Sequence, residues 1–248
     1  MKIAVKVINL PSREDRRRHM TQQLEGVTLP WSFFDARKEP PPDLPYHPET
    51  ALWARGRPLT PGELGVFASH VALWRWLVSE SDLDLLCVLE DDVIVDSVFF
   101  NRIPEMYAAE PWLHYLRLYA KVPVPMTYVK LAFGRHLVRY RLPVFGAQGY
   151  LITRHGAATF LRSIRSVVRP IDDEMDRFWA HGLPIYSVYP FPLMESDLGS
   201  SIEPVRRTLP ALDSLTAVRR LAFRATEKSR RFASNLSADV KQRLGKTK

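Results

Sequence analysis

The chain opens on the apolar run Ile3-Ala4-Val5-Lys6-Val7-Ile8 and breaks at Asn9-Leu10-Pro11-Ser12. This predicts a strand over residues 2–10 and then a highly charged helix opening near Glu14. Residues 39–48 carry five prolines and predict an external loop, because proline removes donors and restricts its neighbours. Thr60-Pro61-Gly62-Glu63 has the form of a helix start: a threonine cap, proline at the first helical position and glutamate three residues after the cap. Leu64, Phe67, Ala68, Val71, Trp74 and Val78 follow at helical spacing, a stripe that should pack on a sheet. Leu85 to Leu89 is unbroken apolar sequence, as expected of a strand covered on both faces. Further on, Gly149 to Thr153 predicts a strand with a helix opening at His155-Gly156. Asp172 to Trp179 predicts another helix, and Pro184 to Tyr189 a late strand. Alternating strands and helices argue for an α/β domain over residues 1–208 with a mostly parallel central sheet, followed by a tail at 209–248.

That tail is where the charge lies. The chain carries a formal net charge of +8, and from Ala211 to Lys248 ten basic residues face three acidic ones, so seven of those charges belong to the tail. Wound as a helix, it gathers Leu215, Val218, Leu221, Ala222, Ala225, Phe232, Leu236, Val240 and Leu244 into one sector, while Phe223 and Arg243 break the pattern. Such a basic amphipathic helix suits the surface of an anionic membrane. A helix docked on its own domain, a dimerisation arm giving a homodimer, and a frayed polybasic end fit the same pattern. Nucleic acid is not expected as a partner, because the body is nearly neutral.

With 46% hydrophobic and 25% charged residues the composition is that of an ordinary globular protein. The single cysteine, Cys87, excludes a disulfide within the chain. No apolar run approaches the roughly 18 residues of a membrane span, and the N-terminus lacks the apolar core of a signal peptide. A cytoplasmic location is the expectation.

Glu90-Asp91-Asp92 closes the apolar strand. Side chains alternate along an extended chain, so Glu90 and Asp92 should point one way and Asp91 the other. Ligands of α/β sheets gather outside the carboxyl ends of the strands. A divalent cation, Mn²⁺ or Mg²⁺, held by Glu90 and Asp92 together with a substrate diphosphate would relieve the repulsion among these acids. A solvated acidic turn is the competing reading.

Val7-Ile8-Asn9-Leu10 with Arg13 and Arg16, Phe33-Phe34-Asp35-Ala36, Leu59 to Gly65 with Ser69-His70 and Trp74, and Val88 to Val93 form a set of separated segments. Gly146 to Ile152, Pro170-Ile171-Asp172 and Leu198 to Glu203 continue it in order. Together they resemble glycosyltransferase family 25, the lipooligosaccharide β-galactosyltransferases and their relatives. Val66 stands where relatives often have cysteine, and the region around Leu116-Arg117-Leu118-Tyr119 lacks an acid that the lipooligosaccharide enzymes tend to show.

The resemblance implies a GT-A type nucleotide-diphospho-sugar fold, a UDP-hexose donor, inversion at the anomeric carbon and a lipid-linked oligosaccharide acceptor at the inner face of the cytoplasmic membrane. It puts Asn9, Leu10, Arg16, Ser69, His70 and Asp91 near the donor and the metal at Glu90 and Asp92. An inverting transfer needs one carboxylate to take the acceptor hydroxyl's proton. Asp172 is the first candidate, Asp197 the next and Asp173 behind it, although acids in a first helical turn also serve as caps. A transferase-like scaffold that binds UDP without transfer is the alternative. A nucleotidyltransferase lacks support, since no glycine-rich, lysine-bearing phosphate loop follows the first strand.

Overall fold

The computed structural model describes residues 1–132, 134–196 and 213–243, the last three by backbone alone. The first strand, β1 (Ile3–Asn9), is followed by α1 (Glu14–Gln23), β2 (Trp31–Asp35), α2 (Pro48–Arg55) and α3 (Pro61–Ser79). Next come β3 (Leu85–Glu90), β4 (Val93–Val95), α4 (Ser97–Phe100), α5 (Ile103–Ala109) and β5 (Tyr115–Arg117). The hairpin β6 (Met126–Ala132) and β7 (Arg135–Tyr140) precedes β8 (Gly149–Thr153), α6 (Arg154–Ser163), α7 (Ile171–Met175) and α8 (Phe178–His181). The series closes with β9 (Ile185–Tyr189), β10 (Leu193–Glu195) and α9 (Ser214–Arg243).

Eight strands form one sheet in the order β2-β1-β3-β8-β5-β9-β7-β6, and β10 pairs with β4 beside it. Six of the eight run the same way, as the alternation of elements predicts. β8 and β7 run against them, each antiparallel to both its neighbours. The pairing is therefore mixed where a parallel one was expected around β8: an apolar strand followed by a helix looks the same in sequence whichever way it enters the sheet.

Strand β3 shows why the sheet is buried on both faces. Leu85, Cys87 and Leu89 enter one core with Met20 of α1, Phe99 and Phe100 of α4 and Met106 of α5. Leu86 and Val88 enter the other with Phe67, Val71, Trp74 and Leu77 of α3 and Phe160 of α6. The period-2 alternation of the strand thus joins two helical layers. Helix α3 starts as its sequence predicts: Thr60 Oγ1 accepts from the Glu63 N–H and the Glu63 carboxylate accepts from the Thr60 N–H.

Three local expectations change. The proline-rich loop is tied into the body: Leu44 is buried, and the Tyr46 hydroxyl accepts from the Leu59 N–H at 2.8 Å. The helix expected from Asp172 to Trp179 is split into α7 and α8, because the Asp176 carboxylate turns inward to Arg117 (2.6 Å) and the N–H groups of Val144 and Phe145. The tail does wind into a helix, but it docks through Phe223, Glu227 and Asp239, with Phe223 edge-on to Trp53 at 4.9 Å. Its apolar sector faces outward: Leu221 and Phe232 are 70% and 71% exposed. The boundary expected at 208/209 lies outside the described residues.

Candidate active site

The carboxyl ends of β2, β1 and β3 lie side by side, with Asn9 opposite Asp35 and Ile8 opposite Glu90. Because β8 is reversed, its start falls at the same edge, where the Glu90 N–H donates to the Gln148 carbonyl at 2.9 Å. The N-termini of α3 and α7 complete a cleft of about 660 Å³. That volume is in the range of small-molecule sites. Glu90, Asp91, Asp92 and Asp172 line it, together with Arg13, Arg37, Lys38 and Lys121.

Glu90 and Asp92 are partly buried side chains that share this wall. Burial raises the Glu90 pKa from its ordinary 4.5 to about 7, and the charges of Asp172, Asp91 and Glu195 add to the rise. Asp92 is raised to about 6 by burial and by Glu90, against the pull of Arg16. Its Oδ1 is buried and accepts no hydrogen bond from the protein. Two crowded carboxylates, one with an orphaned oxygen, fit a divalent cation whose remaining ligands come from a substrate or solvent. Among the described residues no group of three or more His, Cys, Asp or Glu side chains could hold a metal, so the described part of the site would supply these two.

Asp91 lines the cleft, but its carboxylate is taken up by neighbouring side chains. It is 7% exposed and accepts from Arg16 Nη1 at 2.5 Å and from Asn9 Nδ2 at 2.6 Å. The Asn9 Oδ1 in turn accepts from Arg17 at 2.7 Å. Asn9, Arg16 and Asp91, expected near the donor, all line the cleft and at the same time tie the β3 end to α1. The strict alternation of the acids also fails, because the extended strand ends at Glu90. Arg16 Nη1 lies 3.2 Å from Asp92 as well, so Asp91 and Asp92 meet the same guanidinium. Leu10, by contrast, is 42% exposed on the cleft rim.

Ser69 is fully buried; its hydroxyl donates to the Gly65 carbonyl and accepts from the Arg37 N–H, clamping α3 to the 36–38 loop. His70 is fully buried beneath Glu90. Trp74 Nε1 donates to the Tyr150 hydroxyl and His70 Nδ1 meets the same hydroxyl, each at 2.8 Å. His70 Nε2 lies 3.8 Å from Glu90 Oε1. Burial lowers the His70 pKa to about 3, so the ring is neutral at physiological pH.

Asp172 lines the cleft while its oxygens accept from the Gly146 and Asp173 N–H groups, both at 3.0 Å. Asp173 turns away to Arg55 at 2.6 Å, and burial raises its pKa to about 7. That removes it from the site. Asp197 and the Leu198 to Glu203 segment lie outside the described residues. Sequence reasoning missed Gln148 and Glu195 as site residues. The Gln148 side-chain amide donates to the Glu195 carboxylate, which also pairs with Lys121 at 2.9 Å. Gln148 lay within a segment already singled out. Glu195 carried no signal, since only the pairing of β10 with β4 brings it there.

The model of Glycosyltransferase family 25 (LPS biosynthesis protein) matches residues 3–175. The Xenopus laevis procollagen galactosyltransferase 1-B is 28% identical, over 75% of this chain and 35% of its own length. The Neisseria gonorrhoeae lacto-N-neotetraose biosynthesis glycosyltransferase LgtE is 26% identical, over 97% of this chain and 96% of its own. This chain thus spans about a third of the Xenopus relative and nearly all of the gonococcal one. A solved glycosyltransferase involved in glycosylation of the major capsid of PBCV-1 overlays 91% of this chain and 100% of its own, at 9% identity and a TM-score of 0.44.

Proposed function

The chain belongs to glycosyltransferase family 25, and on that footing we propose that it moves a hexose, galactose or glucose, from a UDP-sugar to a lipopolysaccharide or lipooligosaccharide core acceptor. The observation that carries this reading is the pair Glu90 and Asp92, set in a cleft at the carboxyl edge of a doubly covered sheet, with one Asp92 oxygen buried and without a partner. In a GT-A type enzyme this edge receives the sugar nucleotide.

Glu90 and Asp92 would hold Mn²⁺ or Mg²⁺. Bound there, the ion would neutralise the charge that collects on the departing diphosphate. Arg13, Arg37, Lys38 and Lys121 line the same cleft and complement phosphate charge. Asp172 is the base in this scheme: two backbone N–H groups orient its carboxylate, which would accept the acceptor hydroxyl's proton as the oxygen attacks opposite the leaving UDP. That geometry inverts the anomeric centre.

A donor screen read as UDP release, with and without Mn²⁺, tests the proposal. Wild type should turn over one UDP-hexose in a cation-dependent way, and Asp92→Asn should lose about 100-fold or more in kcat. Cation-independent turnover, or an Asp92→Asn variant of full activity, would remove the metal pair. Absence of both transfer and slow hydrolysis would favour the UDP-binding scaffold.

A further inference from the structure

Helix α9 reaches the body through one polar face. Glu227 accepts from Arg177 at 2.6 and 2.8 Å and from Trp179 Nε1 at 3.2 Å, and Asp239 pairs with Arg141 at 2.7 Å. Between these points Arg231 lies over the Trp179 ring and Asn235 donates to the Arg141 carbonyl. Phe223 fills the gap against Trp53. These anchors recur every three to four residues, so they mark a single side of the helix.

Among the described residues the other side has no counterpart in the body. Leu215, Val218, Leu221, Phe232, Leu236 and Val240 are between 47% and 71% exposed. At 100° per residue they fall within an arc of about 120°, whose centre lies about 140° round the helix from that of the anchors. Arg219 and Arg230 flank that arc on one side, Arg224 and Lys228 on the other, and all four are exposed. The acids of this stretch, Glu227 and Asp239, are both engaged by arginines of the body. The outward surface is therefore apolar along its middle, cationic along both rims and free of uncompensated acids between residues 214 and 240.

We propose that this outward face of α9 docks on an anionic phospholipid bilayer, with the apolar stripe entering the acyl boundary and the four rim cations lying among the headgroups. Charge selects this occupant over a second copy of the chain. Packing two such stripes together would set the cationic rims of one copy against those of the other, whereas anionic headgroups complement both rims. The anchors on the far side hold the helix to the body, so docking brings the whole domain to the membrane surface. A lipid-linked acceptor would be met there, on the cytoplasmic face. The lipid-docking inference does not depend on the transferase reading, because its test needs no turnover.

The full chain is mixed with vesicles of phosphatidylcholine alone or of phosphatidylcholine with phosphatidylglycerol, and flotation is compared. Wild type should float with the anionic vesicles only, and added salt should weaken the association. Leu221→Ser/Phe232→Ser and Arg224→Gln/Lys228→Gln touch no anchor; each should reduce binding by roughly tenfold or more with the helical circular dichroism unchanged. Equal flotation of wild type and variants would overturn the proposal, as would wild-type binding to neither vesicle. So would a dimer in sedimentation that Leu221→Ser/Phe232→Ser dissolves while no form binds lipid, which would give the stripe to a second copy.

Discussion

Glu90 carries the first test of the site without reference to turnover. Its folded pKa of about 7 lies above the ordinary 4.5, so the folded protein holds a proton that the unfolded chain has released. The associated stability is fully present below about pH 4.5 and is lost as pH rises through 7. In EDTA, Glu90→Gln should therefore match wild type near pH 4.5 and exceed it by about 1–3 kcal/mol at pH 8 in urea unfolding. Excess Mn²⁺ should reverse the order, since only wild type keeps both carboxylates. A variant that is less stable at pH 8 without metal would mean that Glu90 is not crowded as described. Arg16 makes the opposite case. It holds the buried Asp91, so Arg16→Ala should cost about 3 kcal/mol in the same assay; a loss of donor affinity at unchanged stability would return it to the ligand set. The type and position of these side chains can be read along the chain, but not their partners. Three acids ending an apolar strand are conspicuous. That Asp91 is spent on Asn9 and Arg16 follows only from the closeness of β1, α1 and β3.

At the scale of elements, β1, β3, β8 and β9 were legible because their apolar runs are short and bounded. Strand β5 has only three residues, and β6 exposes most of its side chains, so neither leaves a pattern to read. The reversal of β8 was hidden as well, and it decides that Gln148 reaches the site. Helix α3 was legible down to its cap, yet its closest functional contact was not. A Cβ on Gly65 would come within 2.8 Å of the Arg37 carbonyl. The loop it touches lines the cleft and is pinned by Ser69. Gly65→Ala should push that loop outward, costing about 1–2 kcal/mol of stability. We expect the KM for the sugar nucleotide to rise by roughly tenfold, a change of about 1.4 kcal/mol, while kcat changes less. Steady-state kinetics beside thermal unfolding would check it, and an unchanged KM would separate the loop from donor binding.

For the molecule as a whole, the tail's helical period was readable, but the face that meets the body was not, because an apolar stripe is ordinarily the buried one. Here the residue that interrupts the stripe, Phe223, packs on the domain, and ion pairs do the rest. Glu227 is the centre of that attachment. Burial opposes its charge, but hydrogen bonds and charges from Arg177, with Arg169 beyond, outweigh it and leave its pKa below the ordinary range. A lowered carboxylate pKa adds stability above the ordinary value near 4.5 that is lost as pH falls through the lowered one. Docking should hold from neutral pH to about 5 and fail only in stronger acid. Glu227→Gln removes the charge at every pH and leaves Arg177 half-satisfied, so α9 should open while the sheet stays folded. Limited trypsin digestion at pH 7 should then cut within α9 at least about tenfold faster than in wild type, as expected if 1.4 kcal/mol or more of docking energy is lost. The thermal transition of the body should move little. Equal cleavage of the two proteins would place the attachment in Phe223 and Trp53 instead, and Phe223→Ala would then be the variant that frees the helix.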